Sequence, residues 1–274
     1  MNDPDFEIPD TNKHKVYKLA PYLVYAKQTD FSKFIRIYIP RCPYAKNTIN
    51  TNKRRSTSAL PKPPRENDVE KSLRRTRKAI KGYALNNDFE IFGTFTYKHD
   101  RQNIEKCKSK FSNWLKNIQK RYGKIEYIAV PEFHKDGKSI HFHVLIKGYK
   151  GKIRRAINPH TGKLLVKKGH KIYELPSYRS GYNTIKMIDK KESTSTKVAF
   201  YLQKYITKDM PRLFRKNRYW VSRGLNKPQT TNNPEEWYTN IKPDRVYPND
   251  YGQILEFDVG KNPLVDMFWR VKQK

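Results

Sequence analysis

The stretch "IEYIAVPEFHKDGKSIHFHVLIKG", residues 125 to 148, holds two apolar runs on either side of Asp136-Gly137. Asp-Gly between β-rich runs is a hairpin signal, so the spacing predicts two antiparallel strands. Side chains at i and i+2 of a strand share a face. His141 and His143 therefore look one way, while Ile140, Phe142, Val144 and Ile146 make the other face apolar and mark it as the core side. A two-residue turn at Asp136-Gly137 sets Glu132 across from His141 and Val130 across from His143. Two imidazoles and one carboxylate then project into one small space. His-x-His on a strand ordinarily packs or hydrogen-bonds. Three such ligands, with positions left open, also suit Mg2+ or Mn2+ acting on a phosphodiester. The same register puts Pro131, which lacks an N–H, in the ladder and predicts a bulge there.

Upstream, "FEIFGTFTY" (89–97) reads as a strand, and "NIEKCKSKFSNWLKNIQKRYG" (103–123) as a helix. That helix carries a stripe of Ile104, Cys107, Phe111, Trp114, Leu115 and Ile118 and stops at Gly123. "VEKSLRRTRKAIKGYAL" (69–85) is a basic helix, with Val69, Leu73 and Ile80 near one face and Arg74 and Arg75 largely elsewhere. Downstream, a polar stretch from 148 to 193 holds the short strand candidates "KIYEL" and "YNTIKMI", and "NRYWVS" (217–222) reads as a last strand. Four segments follow from these patterns. Residues 1–16 are a mobile tail, and 17–68 an N-terminal extension with two short strands, "YLVYA" and "FIRIYIP", and a basic Pro- and Ser-rich linker. Residues 69–226 are the main domain, and 227–274 a loop-rich C-terminal extension.

Composition narrows the partner. Lys plus Arg number 58 against 26 Asp plus Glu, a formal charge of +32. Such an excess resists compaction unless a polyanion supplies counter-charge. With 19 tyrosines and 13% aromatic residues, the chain is too aromatic for a disordered basic tail. Lysines for phosphates and rings for bases fit nucleic acid. No apolar run approaches eighteen residues and no signal-peptide core is present, so neither membrane nor export is expected. Cys42 and Cys107 lack CxxC spacing, which fits a reduced, cytoplasmic protein without a zinc cluster. No GxxxxGK[ST] loop is present, so no ATP-driven motor is encoded.

"STSTKVAFYLQKYITKDM" (193–210) predicts a capped helix. Val198, Ala199, Leu202, Ile206 and Met210 fall in one buried arc, and Tyr201 and Tyr205 lie one turn apart beside Lys204 and Lys208. An amphipathic rim is the ordinary reading of such tyrosines.

Three segments in this order, "FGTFT" (92–96), "HFHVLI" (141–146) and "YLQKYITK" (201–208), resemble the motifs of the HUH endonucleases, the rolling-circle replication initiators (Rep proteins) of phages and plasmids. The order differs from conjugative relaxases, whose nucleophilic tyrosine precedes the histidines. Gly93, where the family carries a bulky residue, and Pro131 beside the acidic ligand depart from the pattern. The resemblance implies an α+β fold: an antiparallel sheet of about five strands, a ferredoxin- or RRM-like palm, flanked by helices with the metal site on the open sheet face. It implies that His141, His143 and Glu132 bind Mg2+ or Mn2+, and that Tyr201 and Tyr205 are nucleophiles assisted by Lys204. Thr94, Thr96, Arg74, Arg75 and Lys208 are then DNA-binding candidates. The implied activity nicks and rejoins single-stranded origin DNA at a hairpin through a 5′-phosphotyrosine, leaving a 3′-OH primer. Host helicase and polymerase are the implied partners, in the cytoplasm of a bacterial host cell. A transposase or mobilisation enzyme of the same chemistry, and a non-catalytic DNA-binding repressor, are the alternatives.

Overall fold

The computed structural model describes residues 26–40, 66–158, 161–167, 169–188, 202, 204, 218–232, 236–249 and 252–271. In chain order the elements begin with strands β1 (Lys27–Asp30) and β2 (Phe34–Pro40) and helix α1 (Glu66–Asn86). Strand β3 (Ile91–Phe95), helix α2 (Ile104–Tyr122), and strands β4 (Glu126–Phe133) and β5 (Ile140–Lys147) follow. Four short strands come next: β6 (Arg154–Arg155), β7 (Val166–Lys167), β8 (His170–Lys171) and β9 (Tyr173–Glu174). The chain continues with β10 (Asn183–Met187), β11 (Trp220–Val221), β12 (Gln229–Asn232), β13 (Arg245–Asn249), β14 (Gly252–Asp258) and helix α3 (Pro263–Val271). The chain divides into two compact units, one of Pro63–Lys227 and one that combines residues 1–62 with 228–274. The architecture is α+β with antiparallel sheets.

The Pro63–Lys227 unit holds a sheet of order β11-β4-β5-β3-β10-β9-β6. It has seven strands rather than about five, the surplus being two-residue strands at its edges. Strands β4 and β5 pair with Glu132 opposite His141 and Val130 opposite His143, as the hairpin signal predicts. The turn itself is longer than two residues. His134 N–H donates to Ser139 O at 2.6 Å, so the closing pair encloses four residues, and Gly137 takes φ +67°. A four-residue loop with the same centre leaves the register unchanged. The Asp136 carboxylate fastens it, accepting from the backbone N–H of Lys138 (3.0 Å) and of Ser139 (2.7 Å).

The predicted bulge at Pro131 is absent, because β4 pairs without interruption from Glu126 to Phe133. Antiparallel pairs alternate between hydrogen-bonded and non-hydrogen-bonded. Since His134–Ser139 is a hydrogen-bonded pair, Pro131–Phe142 is a non-hydrogen-bonded one. The Pro131 nitrogen thus points away from β5, toward a side where β11 pairs only with Ala129 and Ile128. The proline costs the ladder no bond.

Helix α2 covers one sheet face. Asn103 caps it, its side chain accepting from the Lys106 N–H at 3.0 Å, and Gly123 ends it at φ +90°. Its buried Cys107, Phe111, Trp114, Leu115 and Ile118 meet Phe95, Phe142, Val144 and Ile146 from the strands, while Ile104 is only partly buried. Each large side chain so buried contributes about 1.5–3 kcal/mol. Gly93 has a packing reason. A Cβ there would lie 2.7 Å from the Phe95 ring and 3.0 Å from Ile185, so the absent side chain is the space that ring fills.

The other face is divided. At one end Ile128, Val130 and Leu145 are buried, and α1 packs against β4, with its Leu73, Ile80 and Ala84 buried. At the other end the same face carries Glu132, His141, His143 and Thr94. Register assigns each of these to that face.

The second unit has a sheet of order β12-β1-β2-β14-β13, so strands near residue 30 pair with strands beyond 229. The C-terminal stretch expected to be loop-rich supplies three of its five strands. The first predicted strand is displaced: β1 begins at Lys27, just after "YLVYA", of which only Ala26 is described. Ile35, Ile37, Ile39, Leu255 and Phe257 share a core with Trp237, Ile241 and Val265. No helix among the described residues is long and apolar enough to cross a membrane.

Candidate metal centre

Strand pairing brings three ligand atoms to one point. Glu132 Oε2 lies 2.7 Å from His141 Nε2 and 2.6 Å from His143 Nε2, and the two Nε2 atoms are 3.0 Å apart. A metal bound at about 2.1 Å in octahedral geometry sets neighbouring ligand atoms about 3 Å apart. The trio fits one triangular face of such a shell. It is the group of His, Cys, Asp and Glu side chains among the described residues whose geometry suits an ion.

The surroundings fix the histidines. His143 is 5% exposed, its ring lies parallel to Phe92 with centroids 6.0 Å apart, and the His141 ring stands edge-on to it at 4.7 Å. Thr94, paired with His143 across β3 and β5, holds its Oγ1 3.3 Å from Nδ1. When Nδ1 carries the proton it donates to Thr94, and the Nε2 lone pair is free for a cation. Outer contacts of this kind orient metal-bound imidazoles.

Charge follows from the same contacts. Burial pushes the His143 pKa down, and although Glu132 pulls it back up, the net direction is down, with His141 and Lys167 adding to the fall. His143 is therefore a neutral ligand at pH 7. Burial raises the Glu132 carboxyl, but the hydrogen bonds from His141 and His143 outweigh this and hold it at about 2. An ionised carboxylate facing a neutral imidazole calls for a cation between them.

The remaining site candidates divide. Thr96 Oγ1 donates to Tyr182 O at 2.7 Å and accepts from the Tyr182 N–H at 3.1 Å, so its hydroxyl joins β3 to the approach of β10. Arg74 and Arg75 are exposed on α1. Lys204 is exposed and Leu202 buried. Tyr201, Tyr205 and Lys208 lie outside the described residues. Sequence reasoning missed Phe92, which flanks His143, and Lys167, whose charge reaches it. The alternation of β3 against β5 could have found Phe92, two positions before Thr94 on the same face.

A family model described as Replication-associated protein ORF2 matches residues 90–210. The matched span runs from the approach to β3 past the histidine pair to the tyrosine segment, and supports a replication initiator of the Rep type. No curated protein matches the chain, and no solved structure matches it.

Proposed function

We propose that this chain is a metal-dependent nickase and ligase of single-stranded origin DNA that starts rolling-circle replication. The observation that carries the proposal is the convergence of Glu132, His141 and His143 within 3.0 Å of one another, inside the span matched by a replication-associated family. Those three side chains would hold Mg2+ or Mn2+, which withdraws charge from a scissile phosphate and aligns it for in-line displacement.

The chain's own residues supply the rest. Tyr201 Oη attacks phosphorus and loses its proton to water, and the 3′ oxygen leaves. The product is a 5′-phosphotyrosine and a free 3′-OH. One phosphodiester is exchanged for another, so the nick can be resealed without ATP. A phenol of pKa near 10 is a poor nucleophile at pH 7, and Lys204, one turn along, favours its ionised form. Tyr205 accepts the second strand transfer while Tyr201 is occupied. A DNA hairpin that exposes the single strand, and a host helicase and polymerase that use the 3′-OH, are the partners this chemistry needs.

The test is covalent adduct formation on labelled single-stranded origin DNA. Wild type with Mn2+ should give a protein–DNA adduct that EDTA abolishes and Tyr201→Phe lacks. The Tyr201→Phe, Tyr205→Phe double variant should give none. An adduct from the double variant overturns the reading, and no adduct from any form leaves the non-catalytic repressor.

A further inference from the structure

Residues 150–173, "KGKIRRAINPHTGKLLVKKGHKIY", carry eight Lys or Arg and no Asp or Glu. They branch from the sheet edge formed by β6 and β9 as two small hairpins. In the first, Ile157 bridges Leu164, and Asn158 N–H donates to Lys163 O at 2.9 Å. In the second, β7 pairs with β8, Val166 opposite Lys171 and Lys167 opposite His170, with Gly169 turning at φ +76°.

Both hairpins grow from one junction. Leu165 N–H donates to Ala156 O (2.8 Å), Ala156 N–H to Ile172 O (3.0 Å), and Ile172 N–H to Leu165 O (3.1 Å). Ala156 and Ile172 are buried there, so the root is anchored in the core. The outer parts are not. Lys163, Lys167 and Lys171 are exposed, and so are Ile157 (53%), Leu164 (56%) and Val166 (56%).

A basic surface without acids suits a polyanion. The exposed apolar groups then decide which kind. Single-strand binders stack bases on aromatic rings, and the arm has no Phe or Trp and a single Tyr, Tyr173, half-buried beside Arg155. Aliphatic side chains on a two-stranded ribbon instead suit duplex DNA, touching thymine methyls in the major groove or wedging between base steps in the minor groove. Lys167 is also close enough to His143 for its charge to be felt there, so the arm and the metal centre serve the same side of the sheet.

We propose that residues 150–173 are a duplex-gripping arm that holds double-stranded DNA next to the strand presented to Glu132, His141 and His143. This rests on the nicking reading for its biological sense, but binding measures it separately. The experiment compares the salt dependence of affinity for a short duplex and for a single strand of equal length. The arm variant is Lys163→Gln, Lys167→Gln, Lys171→Gln. The control is Lys116→Gln, Lys120→Gln, Arg121→Gln, which removes equal charge from the exposed side of α2, across the sheet.

Each duplex phosphate that no longer meets a lysine lowers the log–log slope by about 0.9, so the arm variant should fall by up to about 2.7 on duplex. Its single-strand slope should not change, and the control should change neither. An unchanged duplex slope in the arm variant, an equal fall on single strands, or an equal fall in the control each overturns the arm. Adduct formation by wild type on a single strand is scored in parallel. Its absence defeats the nicking reading whatever the duplex slopes show.

Discussion

Each unit of this chain sets a glutamate on a sheet between two basic side chains, and the two solutions differ. Glu256 lies directly across from Arg36 on one neighbouring strand and Arg245 on the other. Arg36 Nε donates to its Oε1 at 2.9 Å and Arg245 Nε to its Oε2 at 2.9 Å. Arg245 continues to Asp258, and Lys261 bridges Asp258 (2.8 Å) and Asp244 (3.1 Å). Arg36 also lies over the Phe31 ring at 5.3 Å. Glu256 is 4% exposed and its charge is met by guanidinium groups that never lose theirs. Glu132 has only imidazoles, one of them buried and held toward its neutral form. The first arrangement is closed by the chain's own cations. The second has ligand atoms in place and charge still to be met, which is what distinguishes a metal centre from a structural ion pair.

The largest effect expected from that difference is on chemistry. His141→Ala or His143→Ala should lower metal-dependent adduct formation by at least about 100-fold, since even outer contacts of a metal site cost 10–100-fold. Unfolding and DNA binding should remain close to wild type. Thr94→Val removes the partner of His143 Nδ1 and should weaken Mn2+ affinity by about 10–100-fold. An unchanged affinity in calorimetry would contradict the orienting role given to Thr94.

Next in size, Glu256→Ala should destabilise the protein by about 2 kcal/mol in denaturant titration. Breaking a fully buried pair costs 3–5 kcal/mol, but Arg36 and Arg245 keep some solvent contact when left alone. Glu132→Gln, measured in EDTA, should change stability by less than about 1 kcal/mol, because that carboxylate is 35% exposed. Equal costs at the two positions would erase the distinction.

The smallest effect is on acid stability. Burial raises the Glu256 pKa, but bonds from Arg36 and Arg245 bring it below the ordinary carboxylate value. The unfolded chain then binds that proton more readily than the folded one. Its contribution is present above the ordinary carboxylate range of about 4.3 and lost as pH falls through the folded value. Glu256→Gln should flatten the acid limb of stability against pH. A limb as steep as wild type's would assign it to other carboxylates.

How much of this was legible in the sequence depends on distance along the chain. The face and register of His141, His143 and Glu132 could be read because β4 and β5 are adjacent and their loop is centred where Asp136-Gly137 is. The absence of a bulge at Pro131 could not, since hydrogen-bond parity is set by the closing pair and not by composition. The Glu256 row was hidden for a different reason. Arg36 and Glu256 lie 220 positions apart, and "GQILEFD" shows polar Gln253, Glu256 and Asp258 without the partners that make their burial tolerable. The arm escaped notice because two-residue strands carry no periodicity.

The most direct test of the account is a Mn2+ titration followed by electron paramagnetic resonance, on wild type, on Glu132→Ala, His141→Ala, His143→Ala combined, and on Glu256→Ala. One tightly held ion per chain is expected in wild type and in Glu256→Ala, and none in the triple variant. An ion held as tightly by the triple variant, or none held by wild type, would contradict the assignment of Glu132, His141 and His143 as a metal centre.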